Sequence, residues 1–66
     1  MLANQRREKI FELIQEDGSA KVLDLARLFK VTEVTIRQDL EKLEKEGSIT
    51  REHGGAYIKN IKRYIF

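Results

Sequence analysis

The segment Val22–Gly47, VLDLARLFKVTEVTIRQDLEKLEKEG, decides the fold, because its apolar residues recur at helical spacing in two runs with a very short link between them. The first run predicts a helix over residues 22–29, with apolar residues at i, i+3, i+4 and i+7 on one face. The residues of that face are Val22, Leu25, Ala26 and Phe29. Because Ala26 is small, another helix can cross this one closely. The link consists of Lys30 and Val31.

The second run predicts a longer helix that begins after its N-cap, Thr32, and continues to Glu46. Gly47 ends this helix. Its apolar stripe consists of Ile36, Leu40 and Leu43. Because successive residues of a helix are rotated by about 100°, a different set of residues faces outward. The outward residues are Val34, Arg37, Gln38 and Glu41. Two helices with so short a link cross steeply, and the second can stand out from the surface.

The outward residues at the start of the second helix suit the edges of base pairs in the DNA major groove. Arg37 can donate two hydrogen bonds to guanine, Gln38 can make a paired contact with adenine, and Val34 can touch the methyl group of thymine. The hydroxyls of Thr32 and Thr35 can reach phosphates near the helix N-terminus. An ordinary solvated helix face would carry similar side chains, so this pattern alone does not establish DNA binding.

Asp39 lies between the inward and outward faces, about 60° from the centre of the apolar stripe. A carboxylate beside DNA is unfavourable. We therefore predict that Asp39 forms a structural ion pair with Arg6 or Arg7 rather than a base contact.

The rest of the chain predicts one further helix and three short strands. The helix extends from Asn4, its predicted N-cap, to Glu16, and Gly18 lies just past its end. Its apolar face consists of Ile10, Leu13 and Ile14, with Phe11 at the edge. The predicted strands are Ser19–Lys21, Ser48–Arg51 and Ala56–Ile58. A turn over Glu52–Gly55 joins the last two strands into a hairpin.

The hairpin supplies a second candidate contact with DNA. Arg51 precedes the turn, and His53, Gly54 and Gly55 lie in it. Glycines allow backbone N–H groups to approach a phosphate closely. A simple tight turn accounts for the glycines equally well, but Arg51 and His53 beside them favour DNA.

Length and composition limit the possible classes of protein. The chain has 66 residues, which suits one small domain, and it contains no cysteine. Its net charge is only +2, and its pI of about 9.1 permits nucleic-acid binding without requiring it. No apolar run approaches the roughly 20 residues of a membrane span, and we expect neither a membrane partner nor a secretory signal. We expect a cytoplasmic protein.

Groups that could support catalysis or bind metal are few. His53 is the single histidine, which excludes a His-rich metal site. Ser19 and Ser48 have no evident base partner, and the sequence has no glycine-rich nucleotide loop. We predict no catalytic residue, no metal and no cofactor.

Several spaced motifs occur together in this chain. They are Arg6, Arg7, Ile10 and Ile14; Val22, Asp24-Leu25-Ala26 and Phe29; Val31-Thr32; Thr35-Ile36-Arg37-Gln38-Asp39-Leu40; Leu43-Glu44; Gly47; Arg51; and His53-Gly54-Gly55-Ala56. In this combination the chain resembles the N-terminal DNA-binding domain of the DeoR family of bacterial transcriptional regulators.

The resemblance implies a three-helix winged helix-turn-helix fold, mainly α with a small β-hairpin (α+β). The segment Thr35–Leu40 would belong to the recognition helix and residues 53–56 to the wing. It further implies sequence-specific binding to an operator half-site of double-stranded DNA, within a repressor of carbohydrate or nucleoside metabolism genes. Family members usually carry a larger C-terminal domain that oligomerises and binds a phosphorylated sugar. We therefore expect a homodimer or higher oligomer of the full-length protein, with the effector bound outside this chain.

Two residues depart from the family's usual pattern. Gln38 stands where arginine or lysine is most frequent, so the operator cannot be inferred from relatives. Lys30 stands where many relatives have glycine in the turn between the helices. If that position is left-handed, a lysine there costs about 1 kcal/mol of stability.

The expected organisation is a DNA-binding domain over residues 1–58 and a tail, or the start of a linker to an effector domain, over residues 59–66. The apolar segment Ile61–Phe66 allows three hypotheses: it packs on the first helix, it pairs with another chain, or it begins a further region. Light scattering that shows a strict monomer at high concentration would remove the pairing hypothesis. The alternative function is a winged-helix module for protein interaction or dimerisation.

Overall fold

The computed structural model describes residues 1–59 as three helices and a small antiparallel sheet. The elements, in chain order, are α1 (Ala3–Asp17), β1 (Ser19–Lys21), α2 (Val22–Phe29), α3 (Glu33–Lys45), β2 (Ile49–Glu52) and β3 (Gly55–Ile58). The predicted α+β class with three helices is confirmed, and α2 and β1 have the predicted bounds. The sheet is larger than a hairpin, because β1 pairs with β3 as a third strand.

The core lies between the inner faces of the three helices and one face of the sheet. The buried apolar residues are Ile10, Ile14, Val22, Leu25, Ala26, Ile36, Leu40, Leu43, Ile49 and Ala56. The predicted apolar faces are thus confirmed, with Leu13, Phe29 and the edge residue Phe11 only partly buried at the margin. Burial of one Leu or Ile side chain contributes about 1.5–3 kcal/mol, so this cluster holds the helices together.

Glycines end two of the helices, as predicted. Gly18 follows α1 with a φ of 88°, and its N–H donates to the carbonyl oxygen of Ile14 at 2.7 Å. Gly47 follows the last turn of α3 with a φ of 83°. Since only glycine adopts this backbone region without strain, both chain reversals depend on the missing side chain.

The predicted N-cap of α1 is wrong. The helix begins at Ala3, and the residue before it, Leu2, donates its N–H to Oε1 of Gln5 at 3.2 Å. Asn4 lies inside the helix, where its side-chain oxygen accepts a hydrogen bond from Arg7 at 3.1 Å. The side chain of Asn4 is therefore used by a guanidinium group rather than by the helix terminus.

The predicted hairpin turn over Glu52–Gly55 is also too long. Glu52 pairs with Gly55, so only His53 and Gly54 form the turn, and of these only Gly54 has a positive φ, of 71°. Gly55 is a strand residue whose own constraint is steric. A Cβ atom on it would lie 2.6 Å from the carbonyl oxygen of Ala20 in the neighbouring strand. The pairing of β1 with β3 thus extends the hairpin and shortens its turn.

Lys59 follows β3 without regular structure, and the hypotheses for Ile61–Phe66 fall outside the described residues. Within residues 1–59, no helix is both long enough and apolar enough to cross a membrane.

Lys30 adopts the left-handed conformation, with a φ of 58°. We predict that Lys30→Gly raises the free energy of unfolding by about 1 kcal/mol, because glycine removes the strain. The matched control is Lys42→Gly in the exposed last turn of α3, which should lower the free energy by up to about 1 kcal/mol. Urea denaturation of the two variants measures both effects, and a loss of stability in Lys30→Gly would contradict the prediction.

Candidate nucleic-acid interface

The link between α2 and α3 fixes where α3 begins. After α2 the left-handed Lys30 reverses the chain, and the N–H of Val31 donates to the carbonyl oxygen of Ala26 at 3.0 Å. The hydroxyl of Thr32 then accepts a hydrogen bond from the N–H of Thr35 at 3.1 Å, which confirms the predicted cap. The helix-turn-helix unit therefore needs only three residues between its two helices, which keeps α3 at a fixed position against α2.

Asp39 fixes the rotation of α3 about its own axis. Its carboxylate is nearly inaccessible, with 3% of the side chain exposed, although it lies in the middle of a surface helix. Arg6 of α1 donates to it from both Nε and Nη2, the latter at 3.1 Å, and Arg7 donates from Nη1 at 3.4 Å. The predicted ion pair is thus confirmed, with both arginines taking part.

The same contact affects the guanidinium of Arg6. The hydrogen bond to Asp39 is the main cause that raises the pKa of Arg6 above its ordinary value. Burial lowers the pKa by less than that, and the charge of Asp39 adds a smaller increase. The side chain of Asp39 is occupied by α1 and is not part of the outward face of α3.

The outward face of α3 carries the residues predicted to read bases. Val34 is 59% exposed, and Arg37 and Gln38 are exposed beside it. Thr35 is half-buried, and its hydroxyl lies 3.0 Å from that of Thr32. The predicted division of the helix into inward and outward residues is confirmed, while base contact by the outward residues stays a prediction.

An open groove separates the start of α3 from the hairpin. Arg37 contributes to its α3 side, and the hairpin residues Arg51–Gly55 line the opposite side. The structure thus brings Arg37 together with the four hairpin residues that the sequence predicts as DNA contacts, Arg51, His53, Gly54 and Gly55. Gln38, Val34 and the two threonines lie elsewhere on α3.

The tip of the hairpin is tied to the body of the domain. The carbonyl oxygen of Gly54 accepts a hydrogen bond from the N–H of Val22 at 2.8 Å, at the first residue of α2. His53 beside it is exposed. The hairpin therefore stands at a defined distance from the helix-turn-helix unit, and its exposed imidazole lies at the rim of the groove.

Arg51 has an internal role that the sequence did not reveal. Its Nε lies 3.4 Å from Oε1 of Glu44, and its own N–H donates to Oε2 of Glu44 at 3.2 Å. Its Nη1 donates to the carbonyl oxygen of Arg37 at 3.4 Å. Arg51 and Glu44 thus join β2 to α3. No spacing rule connects two residues across a turn in this way, so sequence patterns carry no signal for the contact.

Arg37 has an internal partner as well. Its Nη2 donates to Oε1 of Glu33 at 3.1 Å, four residues earlier on the same helix. Sequence reasoning missed this pair, although a glutamate four residues before an arginine is a recognisable helical spacing.

The chemistry of the groove suits an anion. Its polar lining includes two guanidinium groups, from Arg37 and Arg51, the imidazole of His53 and the carboxylate of Glu52. Each guanidinium group also bonds a glutamate outside this lining and keeps further N–H donors. In the described part of the chain, no three His, Cys, Asp or Glu residues come together to hold a metal ion. Guanidinium groups bind phosphate and the acceptor edges of bases well, because their donors are planar and always charged.

Comparison with known proteins agrees with this arrangement. A family model described as a DeoR-like helix-turn-helix domain matches residues 6–62. An uncharacterized HTH-type transcriptional regulator of Bacillus subtilis is 52% identical over 56 residues, which cover 85% of this chain and 22% of that protein. A putative galactitol utilization operon repressor of Escherichia coli is 52% identical over 52 residues, which cover 79% of this chain and 46% of the relative.

A third relative matches nearly the whole chain. The lactose phosphotransferase system repressor of Streptococcus mutans is 41% identical over 64 residues, which cover 97% of this chain and 26% of the relative. The chain therefore spans less than half the length of each of these three proteins. No solved structure matches the chain significantly.

The buried ion pair generates a prediction about stability. Asp39→Asn keeps the shape of the side chain but leaves Arg6 and Arg7 without their counter-charge, and it should lower the free energy of unfolding by about 2–3 kcal/mol. Arg7→Gln, which removes the longer contact with Asp39 and the hydrogen bond to Asn4, should lower it by about 1 kcal/mol. Urea denaturation of the parent and of both variants at low temperature measures these changes in the free energy of unfolding.

The control for this prediction is Glu33→Gln, which breaks an exposed pair and should change the free energy by less than about 0.5 kcal/mol. If Asp39→Asn changes stability no more than Glu33→Gln does, the buried ion pair does not hold α3 in place.

Proposed function

The chain belongs to the family of DeoR-like helix-turn-helix domains, and we propose that it binds double-stranded operator DNA as the DNA-reading domain of a bacterial transcriptional regulator. One observation carries the proposal. The start of α3 exposes Val34, Arg37 and Gln38, and a groove beside Arg37 places the hairpin residues Arg51 and His53 next to it. A helix with its side chains is about 10–12 Å wide and the major groove about 12 Å, so α3 fits it.

The proposed readout assigns one base to each outward side chain. Arg37 donates a pair of hydrogen bonds to O6 and N7 of guanine, and Gln38 pairs with N6 and N7 of adenine. Val34 contacts the methyl group of thymine. Each paired contact contributes about 1–3 kcal/mol of discrimination against the wrong base. Gln38 is neutral, so it reads a base edge without adding attraction to phosphates.

The proposed phosphate contacts surround these base contacts. Thr32 and Thr35 offer hydroxyls at the N-terminus of α3, where the helix dipole also favours a phosphate. In the hairpin, His53 and the backbone of Gly54 and Gly55 are proposed as further phosphate contacts. Arg51 adds those guanidinium donors that Glu44 leaves free. Such contacts position the domain and make its affinity dependent on salt, while the base contacts supply specificity.

We propose that the complete regulator represses genes of carbohydrate or nucleoside metabolism in the cytoplasm. Supporting this, relatives are named as repressors of galactitol utilization and of a lactose phosphotransferase system. A homodimer or higher oligomer would present two copies of α3 to half-sites about one helical turn apart. A phosphorylated sugar would bind in a separate C-terminal domain, and the domain described here would act without catalysis or cofactor.

The alternative, a module for protein interaction or dimerisation, is supported by a different surface. Leu28 is 60% exposed and Met1 is 73% exposed, and both lie beside Leu13 and Phe29 between α1 and α2. Sedimentation of the parent and of Leu28→Ser tests it. A parent that self-associates, and a variant that does not, would favour the alternative.

For DNA binding we predict that Arg37→Ala lowers operator affinity about 5- to 150-fold, equivalent to 1–3 kcal/mol, and abolishes the preference at one base pair. Residual binding to any duplex should persist because the phosphate contacts remain. The operator is obtained by selection from random duplexes, and affinities are measured by fluorescence anisotropy.

The matched control is Lys9→Ala, which removes one positive charge from the exposed side of α1. It should weaken binding to all duplexes alike and only slightly. Equal operator affinity for Arg37→Ala and the parent would show that α3 is not the reading helix.

A further inference from the structure

Glu33 holds Arg37 at the surface proposed to meet DNA. The Oε1 of Glu33 accepts from Nη2 of Arg37 at 3.1 Å, and the two side chains are 45% and 55% exposed. A glutamate four residues before a basic residue is the more favourable order on a helix. Glu33 also lies in the first turn of α3, where the helix dipole favours a carboxylate. A negative charge therefore stands at the end of α3 that leads toward the DNA.

Stability explains this carboxylate only in small part. An exposed ion pair contributes only about 0.2–1 kcal/mol, far less than a buried one. The pair of Glu33 and Arg37 has a greater effect on the charge of the surface, because Glu33 cancels the positive charge of Arg37 on the face proposed to approach the phosphates. Binding to DNA of unrelated sequence depends on the neutralisation of phosphates and the release of counterions. A carboxylate in this position weakens that kind of binding directly.

Glu33 affects operator binding differently, because the guanidinium group of Arg37 has enough N–H donors for both Glu33 and a guanine. It carries five N–H donors, of which guanine takes two. Arg37 can therefore keep its hydrogen bond to Glu33 while it contacts guanine, and Glu33 then fixes its direction. Unrelated DNA places no guanine edge to take those donors, so the repulsion between the carboxylate of Glu33 and the phosphates is not offset by a base contact.

We propose that Glu33 is a specificity-determining residue, which positions Arg37 and selectively disfavours DNA of unrelated sequence. This inference rests on the proposed function. Glu33 acts through Arg37 and through its own charge, without contacting a base.

The test is Glu33→Gln, which keeps the shape and removes the charge. Dissociation constants for the selected operator and for an unrelated duplex of equal length are measured at several NaCl concentrations. Binding to the unrelated duplex should tighten about two- to fivefold. The slope of log affinity against log salt for that duplex should steepen by up to about 0.9. Operator affinity should change less, so the ratio of the two affinities falls.

Two controls separate this effect from others. Glu12→Gln removes the same charge from the exposed side of α1 and should leave the affinity ratio unchanged. The thermal midpoint of Glu33→Gln should stay within about 4 °C of that of the parent, since a merely structural role would move the midpoint and not the salt slope.

The contradicting results are distinct. If the parent shows no preference for any selected duplex, the proposed function itself fails. If the parent is selective but Glu33→Gln changes both affinities by the same factor, or weakens operator binding without tightening the unrelated complex, only the role of Glu33 is overturned.

Discussion

The structure depends on the contact between Asp39 and the two arginines of α1. A carboxylate buried in a small domain is destabilising by several kcal/mol unless charges and hydrogen bonds compensate it. Arg6 and Arg7 provide both. Because the pair can form at only one rotation of α3, it determines which residues of that helix face outward. A rotation by one residue, about 100°, would remove Asp39 from α1 and turn the apolar stripe toward water.

Two of the three other carboxylates on α3 are also partnered with arginines, each with a different consequence. Glu44 bonds the side chain and the backbone N–H of Arg51 and so connects the hairpin to α3. Glu33 bonds Arg37 at the exposed start of the helix. These acidic partners keep the net charge of the chain low, at +2, although its interface is built around arginines. On the proposed function, these pairs limit the general attraction to phosphates, while the base contacts fit one sequence.

The sequence predicted those features that depend on local periodicity. The inward faces of α2 and α3 follow from the spacing of apolar residues, and the ends at Gly18 and Gly47 follow from backbone freedom. Features that depend on distant partners, apart from the ion pair of Asp39, were missed or misplaced. Gly55 was assigned to a turn because nothing nearby in sequence shows that β1 lies against it. The contacts of Arg51 were invisible for the same reason.

Polar side chains were the least predictable part of the candidate site. Asparagine is a favourable N-cap residue, but the side-chain oxygen of Asn4 accepts a hydrogen bond from Arg7 instead of capping the helix. Which of these contacts forms depends on how α1 packs against α3. The ion pair of Asp39 could be anticipated, because a carboxylate at the edge of an apolar stripe needs a partner. The division of α3 into inward and outward residues was therefore predictable from the sequence, whereas the contacts that attach the hairpin to α3 were not.

Intermolecular NMR contacts between the isotope-labelled domain and its selected operator duplex test the central claim most directly. The account predicts contacts from Val34, Arg37 and Gln38 to base protons, with the guanidinium resonances of Arg6 and Arg7 unchanged on binding. Contacts to DNA from the side of α1 and α2 that carries Leu28, with none from α3, would contradict it.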